Sequence, residues 1–387
     1  MARSLSRRGL LQQAGFIGCS LAASPLITPV AFAQAPWDTR LVVIILRGGM
    51  DGLDVVRPVG DPGFAALRPG VDLQESIDLD GYFALHPALT DLMPLWRAGQ
   101  LGFMHAVSTP YRDKRSHFDG QDMLEAGTGT LDGRTRDGWL NRMLQQMPGV
   151  VAETAYAIGT TEVRVLDGEA PVANWAPEAK LGLSPQALRL AELVMERDPA
   201  LHAALAEAQM LADVGMGDPP NGGAHLQIAQ FAAERLRGVS RVAAFSLGGW
   251  DTHRAQHRTL PRSLRALSQT VLGLRDGLGP EVWGKTAVLA MTEFGRTAAL
   301  NGTGGTDHGT AGAMLFGGGA LRGVHVLGRW PGVAEADLYD RRDVMPTADV
   351  RAPAAWVLEA ATGLDRATLE QVIFPGLEME KDPGLVV

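Results

Sequence analysis

The sequence predicts an α/β fold, a three-layer α/β/α sandwich on a mainly parallel sheet, and three observations predict it. Apolar, β-branched runs recur along the chain with helix-like segments between them. The first run, residues 41–46, is apolar at every position, as a strand covered on both faces requires. Finally, several of these runs lead into glycine-rich turns bearing Asp, His or Ser, and the ends of parallel strands are where such sheets build their sites.

The elements follow in order. Strand 41–46 ends at Gly48-Gly49. Residues 86–98 suit a helix opened by Pro87 in its first turn and closed by Gly99. Residues 101–107 make a second strand. Ser116 stands where it would cap a helix running to about Glu125, and Asp137 opens a short helix over 137–147. Two helices, 185–213 and 222–238, are separated by a Gly/Pro/Asn-rich turn at 215–223. Residues 242–247 form a third strand, 256–277 a helix and 286–291 a fourth strand. Residues 313–316 and 324–327 flank Gly317-Gly318-Gly319 as a hairpin, and helices over 350–361 and 366–372 close the chain. Residues 127–220 carry no chemical motif and read as an inserted or lid-like part of the same domain, which spans 34–387.

The chain has 387 residues, 46% hydrophobic and 20% charged, enough for a large core. Its net charge of −8 disfavours sequence-independent binding to nucleic acid or to anionic lipid. Residues 1–33 hold Arg3, Arg7 and Arg8 and no acid, so the remainder is more acidic still. Ser6-Arg7-Arg8-Gly9-Leu10-Leu11 resembles a twin-arginine box, and Ala31-Phe32-Ala33 is an A-x-A cleavage site before Gln34. These features predict a signal peptide over 1–33, a periplasmic or secreted product, and the twin-arginine (Tat) translocon as partner during export. The apolar stretch between them is short and broken by Ser24 and Pro25, so no stable membrane span is expected. The only cysteine, Cys19, lies inside that segment. The mature chain therefore has no disulfide, thiolate ligand or cysteine nucleophile.

Four segments carry the chemistry. Asp51 follows the first strand in Gly48-Gly49-Met50-Asp51-Gly52, either as a metal ligand or as an Asx-type turn bonding its own backbone. Asp251 and His253 follow the third strand, a carboxylate and an imidazole that suit zinc, manganese or iron. Asp307 and His308 sit in a glycine-rich loop, 301–312, that packing explains poorly. Glu293 ends the fourth strand, where it could ligate an ion, orient a ligand histidine or pair with Arg296. Ser116, with Arg112 and Arg115 close by, reads as an ordinary N-cap or as a nucleophile at the positive end of a helix dipole. His117 is a ligand or a packed histidine. His86 and His105, in apolar contexts, are expected in the core. No P-loop, G-x-S-x-G elbow or H-E-x-x-H motif occurs.

L-R-G-G-x-D-G, R-S-H-F-D-x-Q, W-D-T-H, T-E-F-G-R-T and G-T-D-H-G occur here in that order, after the twin-arginine signal. In this the chain resembles a bacterial family of exported proteins with a domain of unknown function, within the alkaline phosphatase-like superfamily of phosphatases and sulfatases. The resemblance implies an α/β/α domain with one or two divalent ions at the carboxyl edge of the sheet. Zinc is the first expectation, with manganese, iron or calcium as alternatives. It implies Asp51, Asp251, His253, Asp307 and His308 as ligands, Glu293 at the edge beside them, Ser116 as nucleophile, and Arg112 or Arg115 on the free oxygens. The implied substrate is a small phosphate or sulfate ester. The last histidine of the superfamily pattern has one weak counterpart, His325, so a non-catalytic metal-binding factor for assembly stands as the alternative.

Overall fold

The apolar run at 41–46 becomes the central strand of the sheet, buried at every residue from Arg40 to Leu46. The computed structural model describes residues 37–112, 115–131, 137–159, 163–177, 223–323 and 325–386. The signal segment 1–33, the helix expected over 185–213 and much of 127–220 lie outside the described residues.

Among the described residues nine strands make the main sheet: β1 (Arg40–Leu46), β2 (Leu101–Ser108), β3 (Ala155–Ile158), β4 (Ala173–Trp175), β5 (Val242–Leu247), β6 (Thr286–Met291), β7 (Gly312–Gly317), β8 (Val326–Leu327) and β9 (Ala348–Asp349). Their order is β8-β2-β7-β6-β1-β5-β3-β4, with β9 also on β2. Every pairing is parallel except those of β7, which runs antiparallel to both β6 and β2. The expected α/β architecture with a mainly parallel sheet is what the chain adopts.

The five principal helices are α1 (His117–Ala126), α2 (Trp139–Gln145), α3 (Ala224–Arg237), α4 (Gln256–Trp283) and α5 (Arg351–Thr362). Side chains alternate across a strand, so β1 feeds two cores. Val42, Ile44 and Leu46 pack with Phe231 of α3 and with Leu264, Leu267 and Val271 of α4. Leu41, Val43 and Ile45 pack with Trp139 and Leu140 of α2 and Trp356 of α5. One strand thus explains both helical layers.

Two expectations need correction. The helix over 86–98 is a 3₁₀ stretch, Pro87–Leu92, followed by a short α-helix, Met93–Arg97. Pro94 lacks the N–H that a continuous helix would use there. The hairpin expected of 313–316 and 324–327 does not form. Its two arms flank β2, antiparallel on the β7 side and parallel on the β8 side. The described residues of the stretch 127–220, expected as an inserted or lid-like part, include β3 and β4, which extend the main sheet beyond β5.

The antiparallel strand decides where the site forms. β1, β2, β5 and β6 all end at one edge of the sheet. Because β7 runs the other way, it begins at that edge, so the loop 292–311 between β6 and β7 stays there. Asp307 and His308, sixteen and seventeen positions beyond the end of β6 in the chain, are thereby returned to the same edge as Asp251.

His86 and His105 are buried, as expected for core residues. His105 Nε2 donates to the Val56 carbonyl at 3.0 Å, and its ring stacks on Phe83. Burial pushes both imidazoles down to about 4 from their ordinary 6.5. Between those values the unfolded chain takes up protons that the folded chain refuses. Their contribution to stability is therefore full above about pH 6.5 and falls as the pH drops toward 4. Urea midpoints measured across this range should decline, and His105→Gln should flatten the slope; equal slopes for the two chains would contradict the assignment.

Candidate metal centre

Four turns meet at the carboxyl edge, and glycine lets them touch. Gly48, after β1, has φ +125, and a Cβ there would lie 2.5 Å from the Asp251 nitrogen. A Cβ on Gly305 would lie 2.2 Å from the carbonyl carbon of His253. No side chain fits at either position, so the turn of Asp251 and His253 is gripped between the β1 turn and the 305–308 turn.

Within this grip three imidazoles and one carboxylate converge. Asp251 Oδ1 lies 3.4 Å from His117 Nε2, 3.0 Å from His253 Nε2 and 3.3 Å from His308 Nε2. The two nitrogens of His253 and His308 are themselves 3.0 Å apart. His117, Asp251 and His308 place one ligand atom each within 4.8 Å of one another.

The far nitrogen of each ring fixes its tautomer. His117 Nδ1 donates to Glu293 Oε1 at 2.8 Å, His253 Nδ1 to Asp307 Oδ1 at 3.0 Å, and His308 Nδ1 to the Arg115 carbonyl at 2.7 Å. A carbonyl or an ionised carboxylate can only accept, so each Nδ1 carries the proton. With Nδ1 so engaged, each ring turns its Nε2 toward Asp251. His117 Nε2 is buried and has no hydrogen-bond partner among the described residues. Nε2 atoms held 3.0–3.4 Å from one carboxylate oxygen call for a proton or a metal cation between them. Ligands about 2.0–2.1 Å from a tetrahedral zinc stand roughly 3.3 Å apart, so the donor set and its spacing fit a divalent ion.

The supporting residues are buried and charged. Glu293, wholly buried, accepts from the Gly48 nitrogen at 2.9 Å and from Gln121 at 3.1 Å besides His117. Burial raises its carboxyl, but His117, Gln121 and the Gly48 nitrogen outweigh that and hold it below the ordinary value. For His117, burial opposes the charge, yet Glu293 and Asp251 outweigh it and lift the pKa above the ordinary one. Burial likewise opposes the Asp251 charge, and Arg296, with Nη1 2.8 Å from Oδ1, overrides it downward. Asp307 is held below its usual range chiefly by Asn301, which donates at 3.1 Å, and then by His253. Phe294 stacks against His117 with ring centroids 4.9 Å apart and limits its rotation.

The expected residues therefore divide. Asp251, His253 and His308 lie in the cluster. Asp307 and Glu293, expected as ligands, instead touch the outer nitrogens of His253 and His117, where they set the rings. For Glu293 this is one of the roles the sequence left open, and the pairing with Arg296 is not made. Asp51 is not in the cluster. It is buried, caps the short helix Gly52–Val55 by accepting from Leu53, and is ion-paired to Arg68. Removing one partner of such a pair costs about 3–5 kcal/mol. Ser116 caps α1, its hydroxyl accepting from the Asp119 nitrogen at 3.3 Å. Arg112 directs Nη1 to the carbonyls of Thr109 and Tyr111, at 2.5 and 2.7 Å, away from the imidazoles. Arg115 adopts φ 54, a left-handed backbone rare outside glycine, directly before the α1 cap, and its carbonyl holds His308. His325 lies on the β8 approach, its carbonyl bonded to the Phe103 nitrogen near the start of β2, at the opposite end of that strand from the site.

Sequence reasoning left His117 open, as a ligand or a packed histidine, and missed Arg68 and Gln256. The signal for His117 was present: it follows a helix cap directly, which aims a first-turn side chain at the sheet edge. Arg68 and Gln256 carried none, since both lie in segments without a motif.

Replacing Glu293 by Gln should leave the fold intact and weaken divalent-ion binding about 10–100-fold, because the proton on His117 Nδ1 loses its ionised acceptor. Titration calorimetry with Zn²⁺ checks this; unchanged affinity would remove His117 from the ligand set.

The family of unknown function in that resemblance is borne out by a family model described as "Protein of unknown function (DUF1501)", which matches residues 227–373. No curated protein matches the sequence. Among solved structures, the C-terminal periplasmic domain of EcEptC from Escherichia coli in complex with Zn is 10% identical, with 91% of this chain and 95% of that chain covered and a TM-score of 0.38. The lipoteichoic acid synthase LtaP from Listeria monocytogenes is 9% identical, with coverage of 93% and 81% and a TM-score of 0.37. A TAB5 alkaline phosphatase mutant with Mg bound is 10% identical, with coverage of 73% and 92% and a TM-score of 0.35. Likeness at this level says nothing about the chemistry of the present chain.

Proposed function

We propose that the chain is an exported metal-dependent hydrolase of phosphate or sulfate esters. The observation that carries the reading is the meeting of three imidazole Nε2 atoms on one carboxylate oxygen, with His117 Nε2 buried and otherwise unpartnered among the described residues. His117, Asp251, His253 and His308 would hold the ion. Bound there, a divalent ion would polarise an ester oxygen and lower the pKa of a nearby hydroxyl.

The remaining work falls to the chain's own groups. Glu293 and Asp307 keep His117 and His253 in the ligating tautomer. Arg296, wholly buried, sets the orientation of Asp251 and offsets its charge. Ser116, one residue before His117 at the amino end of the ten-residue helix α1, supplies the hydroxyl nucleophile. Its backbone N–H is already fixed by the Tyr111 hydroxyl at 2.7 Å, so the residue is positioned before substrate arrives. Arg115, beside the same cap, is the group of the two expected arginines left to meet the free oxygens. Phe118 follows His117 and is 71% exposed, an unusual state for a large apolar ring. It offers a face to the organic part of the ester.

Export is carried by the twin-arginine box and cleavage site of 1–33. Among the described residues no helix is long and apolar enough to cross a membrane.

The alternative reading, a non-catalytic metal-binding assembly factor, rests on the distance of His325 from the cluster and the use of the Ser116 hydroxyl as a cap. One series separates the two. Asp307→Ala should fold, lose much of its metal affinity and turn over ester poorly. Ser116→Ala should keep its metal and lose turnover by 10²-fold or more, as loss of an attacking group does. A Ser116→Ala chain as active as the parent would remove the serine, and a parent that binds metal yet cleaves nothing across phosphate and sulfate panels would favour the assembly factor. Phe118→Ala should raise KM for aryl esters several-fold with metal content unchanged; equal KM values would remove the ring from substrate contact.

A further inference from the structure

We propose that the centre takes a single divalent ion, and that the buried Asp51–Arg68 pair, coupled through Gln256, is the fixed frame that holds its two ligand turns in register. This rests on the metal-site reading above and goes beyond it in ion number and in naming a positioning residue.

The argument starts from the capacity of a carboxylate, which offers about four lone-pair directions. Asp51 has all four filled. Oδ2 accepts from Arg68 Nη1 at 2.5 Å and from Gln256 Nε2 at 2.6 Å. Oδ1 accepts from Arg68 Nη2 at 3.0 Å and from the Leu53 nitrogen at 3.1 Å. Arg68 is equally committed, with Nε on the Ala298 carbonyl at 2.7 Å and Nη2 on the Thr297 carbonyl at 2.9 Å. A protein cation thus occupies the direction from which an ion would approach Asp51, and a second ion would meet both a filled carboxylate and a like charge.

Gln256 turns this pair into a frame. Its Oε1 accepts from the hydroxyls of Thr252 and Thr306, each at 2.7 Å. Its Nε2 donates to Asp51 and, at 3.0 Å, to Asp54. Carboxylates only accept, so the amide has one orientation, and all four of its bonding positions are used. Thr252 stands between Asp251 and His253, and Thr306 directly precedes Asp307-His308. The Thr306 nitrogen also donates to the Thr252 carbonyl at 3.0 Å, and its hydroxyl accepts from Arg296 Nε at 3.1 Å, the arginine that holds Asp251. One amide therefore joins both ligand turns to a buried ion pair. No other side chain supplies two donors and two acceptors at this length: Glu would press a third carboxylate on Asp51 and Asp54, and Asn would fall short.

The test is calorimetric titration of the metal-stripped full chain with Co²⁺, read beside the visible absorption of the cobalt form. The parent and Asp51→Asn should each bind one equivalent. Gln256→Asn and Gln256→Glu should bind about 10–100-fold more weakly with altered cobalt bands, while circular dichroism stays that of the parent. Two equivalents in the parent, one of them lost in Asp51→Asn, would overturn the single-ion proposal. Affinity and bands unchanged in both Gln256 variants would overturn the frame. Asp251→Asn tells these failures from that of the underlying reading: if it binds cobalt as the parent does, or the parent binds none, the metal site itself is wrong and this proposal falls with it. Parent stoichiometry decides the ion number even if a variant fails to fold.

Discussion

Three imidazole Nε2 atoms gathered 3.0–3.4 Å from one carboxylate oxygen are the constraint on which the rest of this structure depends. Neutral imidazoles do not gather around a carboxylate for their own sake. Each lone pair brought in from water costs free energy and gains no donor in return. The surroundings are arranged to force it. Glu293, Asp307 and the Arg115 carbonyl each take the outer proton of one ring, and Phe294 stacks on the His117 ring as well. A cation bound there would relieve that cost and so couple its binding to the stability of the whole edge.

The forcing begins in the backbone. Gly48 and Gly305 allow three turns to approach within contact distance, and the reversed direction of β7 brings the 305–308 turn back to the edge from which β6 departs. Were β7 parallel, its preceding loop would have to cross to the opposite edge and His308 would go with it. Sheet topology, rather than any local preference, therefore completes the ligand set.

Behind the ligands lies a layer of buried charge whose members neutralise one another in pairs. Asp51 meets Arg68, Asp54 meets Arg57, and Asp251 meets Arg296. Paired charges in a protein interior contribute little net stability, but they fix geometry, because any movement that separates them exposes an uncompensated charge. Gln256 ties two of these pairs to the ligand turns. The site is thus rigid at depth, while Ser116, Arg115 and Phe118 sit at the amino end of α1, where a substrate can reach.

The sequence by itself determined the sheet and most of the chemistry. An unbroken apolar run such as 41–46 can only be a strand covered on both faces. Asp or His placed within a few residues of a strand's end, as in Asp251-Thr252-His253, has nowhere to go but the sheet edge. Hydrogen-bond capacity and tertiary position decided the rest. Asp51 has the right residue type at the right strand end, yet Arg68, seventeen residues on, claims its oxygens, and nothing local announces that pairing. Glu293 and Asp307 read as ligands because carboxylates ligate, but they stand behind histidines whose rings already fill the space. His117 joins the cluster because Glu293 and Phe294, just beyond the end of β6 and far from His117 in the chain, hold its ring there. Whether a carboxylate binds an ion or a neighbour depends on which donor reaches it first in space. That is set by contacts between residues far apart in the chain, and only the folded chain contains them.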